Sequence, residues 1–205
     1  MKPIPQLLSA FTIAALSFAA SANSTTYDSS AAFLAQLTPG GYTENFNGLD
    51  ATPPAAFSNG IYSYTISAPS DIYGSGEFLG TSQIDEALTI SFTSGNVRAV
   101  GGNFFTTNIS DSFQAVSVTL LLSDGTTKTF TPATLSDSYR GFVADTVITS
   151  LVISRPGPSL YAGVDNLTVG TVATAVPEPQ PASLALAGLA VVGLMAARRR
   201  AAGRV

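Results

Sequence analysis

The chain contains no cysteine, no histidine and no tryptophan in 205 residues. Lacking cysteine, it has no disulfide framework and no thiol chemistry. Lacking histidine as well, it can build neither a Ser-His-Asp triad, nor a Cys-His pair, nor the usual zinc sites. No Gly-x-Ser-x-Gly elbow, phosphate-binding loop or dinucleotide fingerprint is present. Charge is scarce, at 11% of residues, and unevenly placed. Between residues 23 and 176 the only basic side chains are Arg98, Lys128, Arg140 and Arg155; these four against twelve carboxylates give −8, although the whole chain carries −4. A surface of that sign repels phosphate backbones, which excludes nucleic acid as a partner and is compatible with neutral polysaccharide or divalent cations.

What the middle of the chain does have is short runs of aromatic and β-branched residues separated by turn formers. Asp28 or Ser29 is placed to cap a short helix carrying Ala31, Phe33, Leu34 and Leu37, which Pro39-Gly40-Gly41 ends. Strands are expected over 43–46, 61–67, 87–93 and 97–105, with a fragment at 77–79 inside a glycine-rich loop spanning 71–80. Gly101-Gly102 inside the fourth of these predicts a bulge or a close backbone approach. Residues 115–122 and 127–131 flank Asp124-Gly125, the composition of a tight primed hairpin turn. Further strands fall at 140–144, 147–154 and 160–169. Eight to ten short strands with turns between them, about 150 residues in all, predict one all-β domain over 23–170. Its expected form is an antiparallel two-sheet sandwich of jelly-roll type with a short N-terminal helix, and a barrel is the alternative.

Both ends of the chain are apolar. Lys2, the stretch 7–20 and the small-x-small triplet Ala20-Ser21-Ala22 read as a secretory signal helix over 1–22. Cleavage after Ala22 leaves Asn23 as the first mature residue, and the Sec export machinery is the expected first partner. At the other end, a linker over 171–182 contains Val176-Pro177-Glu178-Pro179; its prolines fix φ, remove donors and keep Glu178 extended. The stretch 183–197, SLALAGLAVVGLMAA, is apolar all round, the mark of a helix surrounded by lipid or by protein. About fifteen residues at about 1.5 Å each span about 22 Å, short of the ~30 Å hydrocarbon core. A tilted or thinned crossing with snorkelling arginines makes up the difference. Arg198, Arg199 and Arg200 open a basic tail over 198–205 that stays in the cytoplasm. The body therefore lies outside the cytoplasmic (inner) membrane.

Pro177-Glu178-Pro179, the helix at 183–197 and the Arg198–Arg200 cluster, in that order at the extreme C-terminus, resemble the PEP-CTERM sorting signal of Gram-negative bacteria. The resemblance implies recognition and processing by exosortase, a membrane-embedded cysteine peptidase or transpeptidase-like enzyme. It also implies delivery to the cell surface or extracellular matrix in association with exopolysaccharide.

A second resemblance covers the ends of the body. Gly163-Val164-Asp165-Asn166-Leu167 is similar to the last strand of carbohydrate-binding-module and discoidin-like jelly rolls, and Glu44-Asn45-Phe46-Asn47-Gly48 to their first. It implies a structural Ca²⁺ held by Asn47, Asp165 and nearby carbonyls, with no other cofactor expected. The alternative is that Asp165 hydrogen-bonds backbone donors where first and last strands meet. Tyr62, Tyr64, Tyr73 and Tyr161 are candidates either for stacking on sugar rings or for cross-strand packing. Two function classes follow. One is a non-enzymatic, exported surface protein; the other is a carbohydrate-binding module or a carboxylate glycoside hydrolase using acids such as Glu77 or Asp85.

Overall fold

The computed structural model of the protein describes residues 24–154, 157–172 and 189. Contacts divide the chain into two compact units, Met1–Thr171 and Val172–Val205, and the β-structure lies in the first. In chain order its elements are β1 Ser24–Tyr27, α1 Ser30–Leu34, β2 Tyr42–Glu44, β3 Ala56–Asn59, β4 Tyr62–Ser67, β5 Ile72–Gly74, β6 Leu79–Thr81 and β7 Leu88–Phe92. There follow β8 Ala99–Thr107, β9 Phe113–Gln114, β10 Val118–Leu122, β11 Thr127–Phe130, a 3₁₀ turn at Ser136–Ser138, β12 Tyr139–Ala144, β13 Ser150–Ile153 and β14 Tyr161–Gly170.

Two antiparallel sheets result. The first runs β1-β12-β8-β14-β6-β5, with β2 on β14 and β9 on β8; the second runs β11-β10-β13-β7-β4-β3. The alternation of β4 and β7, where Tyr62, Tyr64, Ile66, Leu88, Ile90 and Phe92 are buried and their neighbours half-exposed, turns one face inward. Against them lie Val100, Phe104, Phe142, Val164, Leu167 and Val169 of the first sheet, forming one core. Stacking of Phe57 on Tyr64 and the edge contact of Phe46 with Phe57, both at 5.3 Å between ring centres, fill one end of the layer.

Strand β8 departs from this alternation because it is buried on both faces. Its outer side is covered at one end by α1. Ser29 caps that helix through its Oγ, which accepts from the Ala32 N–H at 3.3 Å. Phe33, fully buried, lays its ring over Gly101 and Gly141 and beside Tyr139. A Cβ on Gly141 would stand 2.5 Å from that ring and one on Gly101 2.9 Å from it, so only hydrogen fits at either place.

The glycine pair expected to bulge β8 does something different. Gly101 and Gly102 pair in regular register with Gly141 and Arg140 of β12. The bulge sits on the facing strand, where Asn166 and Leu167 of β14 stand against Gly102 alone. Asn166 takes φ +50°, and a Cβ on Gly102 would come within 3.1 Å of the Asp165 carbonyl oxygen. The close approach is therefore present, but the bulge belongs to the partner strand.

The β10–β11 hairpin forms as its composition predicts, with a different turn. Asp124 keeps negative φ and only Gly125 is left-handed, at +89°. The Leu122 carbonyl accepts from the Gly125 N–H at 3.0 Å, and the Leu122 N–H donates to the Thr126 carbonyl at 2.9 Å. This is a three-residue loop closed by a glycine bulge, not a two-residue primed turn. Strands β1, β3 and β9 form where the sequence pattern predicts no strand, and β5 lies inside the segment read as a glycine-rich loop. Among the described residues, no helix is long and apolar enough to cross a membrane.

The Phe33–glycine contact generates a stability prediction. Gly141→Ala should lower unfolding free energy by about 1–3 kcal/mol through overpacking, and Phe33→Ala by about 3–5 kcal/mol through the cavity it leaves. The double variant should fall well short of the sum of the two, because without the ring the methyl has room. Urea denaturation of the four proteins checks this; additive losses would place the two residues in separate environments.

Candidate functional site

The outer face of the first sheet is left open at the end away from α1. Tyr73 on β5, Phe105 and Thr107 on β8 and Tyr161 on β14 alternate with the core-facing Ile72, Phe104 and Ala162, so they point outward. Between them Gly80 and Gly163 stand opposite each other in the β6–β14 pair and offer no side chains. The Phe105 ring lies over Gly163, where a Cβ would meet it at 2.9 Å, and Phe78 meets Phe105 edge-on at 5.2 Å. The rings of Tyr73, Phe78 and Tyr161 form the apolar part of a cleft of about 180 Å³, whose lining also includes Thr81, Ser82, Asn108, Ile109 and Asp111. A second depression of about 130 Å³ shares Phe78, Thr107 and Asp111 with it and extends past Phe113 to Glu77 and Asp165.

The loop at 108–112 builds one wall, and its own hydrogen bonds shape it. Asn108 Oδ1 accepts from the N–H groups of Ser110 (2.9 Å) and Ser112 (3.2 Å), and the Asn108 N–H donates to the Ser112 carbonyl at 3.1 Å. Asp111 takes left-handed φ, +57°, and its Oδ2 accepts from the Tyr73 hydroxyl at 3.1 Å, which ties the loop to β5. That hydrogen bond to Asp111 is the main reason the Tyr73 phenol is raised above its ordinary value. Ile109 is 81% exposed at the tip, an apolar side chain standing beside the cleft.

Of the residues singled out from sequence, the four tyrosines divide evenly. Tyr62 and Tyr64 are core residues, and Tyr73 and Tyr161 line the cleft. Asp165 stands opposite Asn103 in the β14–β8 pair, and both its oxygens accept from Asn166, Oδ1 from the backbone N–H and Oδ2 from Nδ2, each at 2.7 Å. Asn47 is exposed in the turn after β2, where its N–H donates to Asn45 Oδ1 at 3.1 Å, and it lines neither depression. Among the described residues no group of three or more His, Cys, Asp or Glu side chains could hold a metal ion. The donors in view fall short of the about six to eight oxygens that calcium takes. The backbone donor that Asp165 accepts from is the N–H of the next residue in its own strand, Asn166.

The acids weighed for hydrolysis are not brought together. Glu77 lines the second depression only, whereas Asp85 lines neither and sits in a left-handed turn, φ +61°, its N–H donating to the Leu160 carbonyl at 2.9 Å. Neighbouring Glu86 accepts from the Ser70 N–H at 3.2 Å and clamps a loop. The cleavage residues Ala20, Ala22 and Asn23, the motif at 176–179 and the cluster at 198–200 lie outside the described residues, as does the apolar stretch 183–197 apart from Leu189. Sequence reasoning missed Phe78, Phe105 and the 108–112 loop. The one signal available was Ile109, a lone large apolar residue in an otherwise polar loop. Comparisons with protein-family models, curated proteins and solved structures return no match for this chain.

Burial, offset by the Asn166 backbone hydrogen bond and reinforced by the nearby charge of Glu77, raises the Asp165 carboxyl above its ordinary value. The sign follows from linkage. A carboxyl raised on folding binds its proton more tightly in the native state, so its contribution is fully present below the unfolded value and is lost as pH rises through the folded one. Urea denaturation across a pH series starting near 4 should therefore show a downward contribution with rising pH in the native sequence. In Asp165→Asn that contribution should disappear and stability at neutral pH should rise; an unchanged pH profile would contradict the assignment.

Proposed function

We propose that this chain is an exported, non-enzymatic surface protein whose C-terminal tail is a sorting signal read by exosortase. Export through the Sec machinery removes residues 1–22, and the 183–197 helix with Arg198–Arg200 holds the chain in the cytoplasmic membrane with the body outside. Processing near 176–179 then releases the body to the cell surface or the exopolysaccharide matrix. The observation that carries this reading is the order of three parts at the C-terminus: a proline-bracketed glutamate, an uncharged apolar stretch and an arginine cluster. Each part has a physical role: an extended backbone fit for a peptidase groove, a lipid-soluble span and a positive stop.

The body is assigned to the jelly-roll class. Successive strands from β6 to β14 alternate between the sheets, apart from the short edge strand β9 and the β10–β11 hairpin. This gives the interleaved orders β6-β14-β8-β12 and β7-β13-β10-β11, which support that assignment.

Intact-mass spectrometry of the mature protein from its native host tests the reading. The expected mass lacks residues 1–22 and everything beyond a cut near 176–179, and Glu178→Ala should leave the protein in the membrane with its tail attached. A mature protein that retains the basic tail, or normal surface delivery of the Glu178→Ala variant in a host that has the peptidase, would overturn it.

A further inference from the structure

We infer that the cleft between Tyr73 and Tyr161 is a binding site for one unit of a neutral, hydroxyl-rich sugar. The inference goes beyond the proposed function, which concerns delivery, and rests on the cleft alone. Its chemistry is mixed in the way a sugar ring is mixed, with an apolar face and a polar rim. Phe78, Tyr73, Tyr161 and the exposed Ile109 supply the apolar side. The polar rim consists of groups that make no hydrogen bond elsewhere among the described residues: the Thr107 and Ser82 hydroxyls and the Asn108 amide nitrogen. Asn108 Oδ1 is fully used by Ser110 and Ser112, which orients the side chain and leaves Nδ2 as the available donor. Asp111 uses Oδ2 on Tyr73 and keeps Oδ1 as an acceptor for a ligand hydroxyl. The scaffold is rigid, because Gly80 and Gly163 belong to paired strands and the loop is fixed by its own hydrogen bonds.

Charge decides between ligand classes. No lysine or arginine is among the described lining residues. Of the described cations, Arg98 donates to the Asp145 carbonyl, and Lys128 and Arg140 pair with Asp28. A uronate, sulfate or phosphate entering beside Asp111 would meet a carboxylate with no compensating cation among the described lining residues. A cationic ligand would gain from the tyrosine faces but would leave the converging hydroxyl and amide donors unused.

The test uses the full-length chain in a non-glycosidic detergent, followed by two-dimensional NMR. The probes are gluco-, galacto- and manno-configured neutral oligosaccharides at millimolar concentration, with a galacturonate oligosaccharide and choline as charged comparisons. At least one neutral sugar should shift the amides of Tyr73, residues 107–111 and Tyr161 while the core strands stay still. Tyr161→Ala and the near-isosteric Thr107→Val should each weaken that binding about tenfold, with the spectrum outside the cleft unchanged as the check on folding. No response to any neutral sugar, a response mapped to another face, preference for galacturonate or choline, or full affinity in both variants would overturn the inference. None of these outcomes bears on where the tail is cut, so the sorting reading stands or falls separately.

Discussion

The pairing of β14 is the constraint on which the rest of the sandwich depends. This final strand runs down the middle of the first sheet, with β8 along one edge and β6 and β2 sharing the other. The bulge at Asn166 and Leu167 is what lets it serve both edge partners. It inserts one residue between the half of β14 that faces Leu79–Gly80 and the half that faces Tyr42–Glu44. Side chains on either side of the bulge still reach the core, Ala162 and Val164 before it and Leu167 and Val169 after it. Further bonds hold the end of the strand: the N–H groups of Arg98 and Thr38 donate to the carbonyls of Gly170 (3.0 Å) and Thr171 (2.9 Å). Because the strand supplying the centre of the sheet is the last in sequence, the fold is complete only when the chain preceding the proline-rich linker is in place.

The same sheet has an outer face that is covered at one end and open at the other. At one end the glycines of β8 and β12 leave a depression that Phe33 fills, and the result is a sealed second layer. At the other end the facing glycines of β6 and β14 leave a depression that no side chain fills completely. Tyrosine rings and unspent polar groups remain at its rim. One device, glycine opposite glycine in neighbouring strands, thus produces a plug in one place and a cleft in the other. The difference lies in whether a helix is anchored above it, and Ser29 anchors only one.

Much of this fold was legible in the sequence because period-two alternation and turn chemistry are local. Leu88, Ile90 and Phe92 announce β7, and Asp124-Gly125 announces the β10–β11 hairpin. The turn type was not legible, because Asp-Gly suits both a two-residue primed turn and a three-residue loop with a glycine bulge, and strand pairing decides between them. The segments of β3 and β5 resisted because Ala56–Asn59 and Ile72–Gly74 bury few side chains and are strands only by pairing with β4 and β6. The tyrosines could be named but not sorted: whether Tyr64 or Tyr161 faces the core depends on which sheet each strand joins. Most of the cleft is non-local, since Phe78, Thr107 and Tyr161 meet only when β6, β8 and β14 lie side by side.

The claim that β14 closes and holds the sandwich is tested most directly by native-state hydrogen exchange. The hydrogen-bonded amides of 162–170 should exchange only through global unfolding, with a free energy equal to that from urea denaturation. Exchange of those amides through local opening at much lower free energy, while β4 and β7 remain protected, would contradict the account.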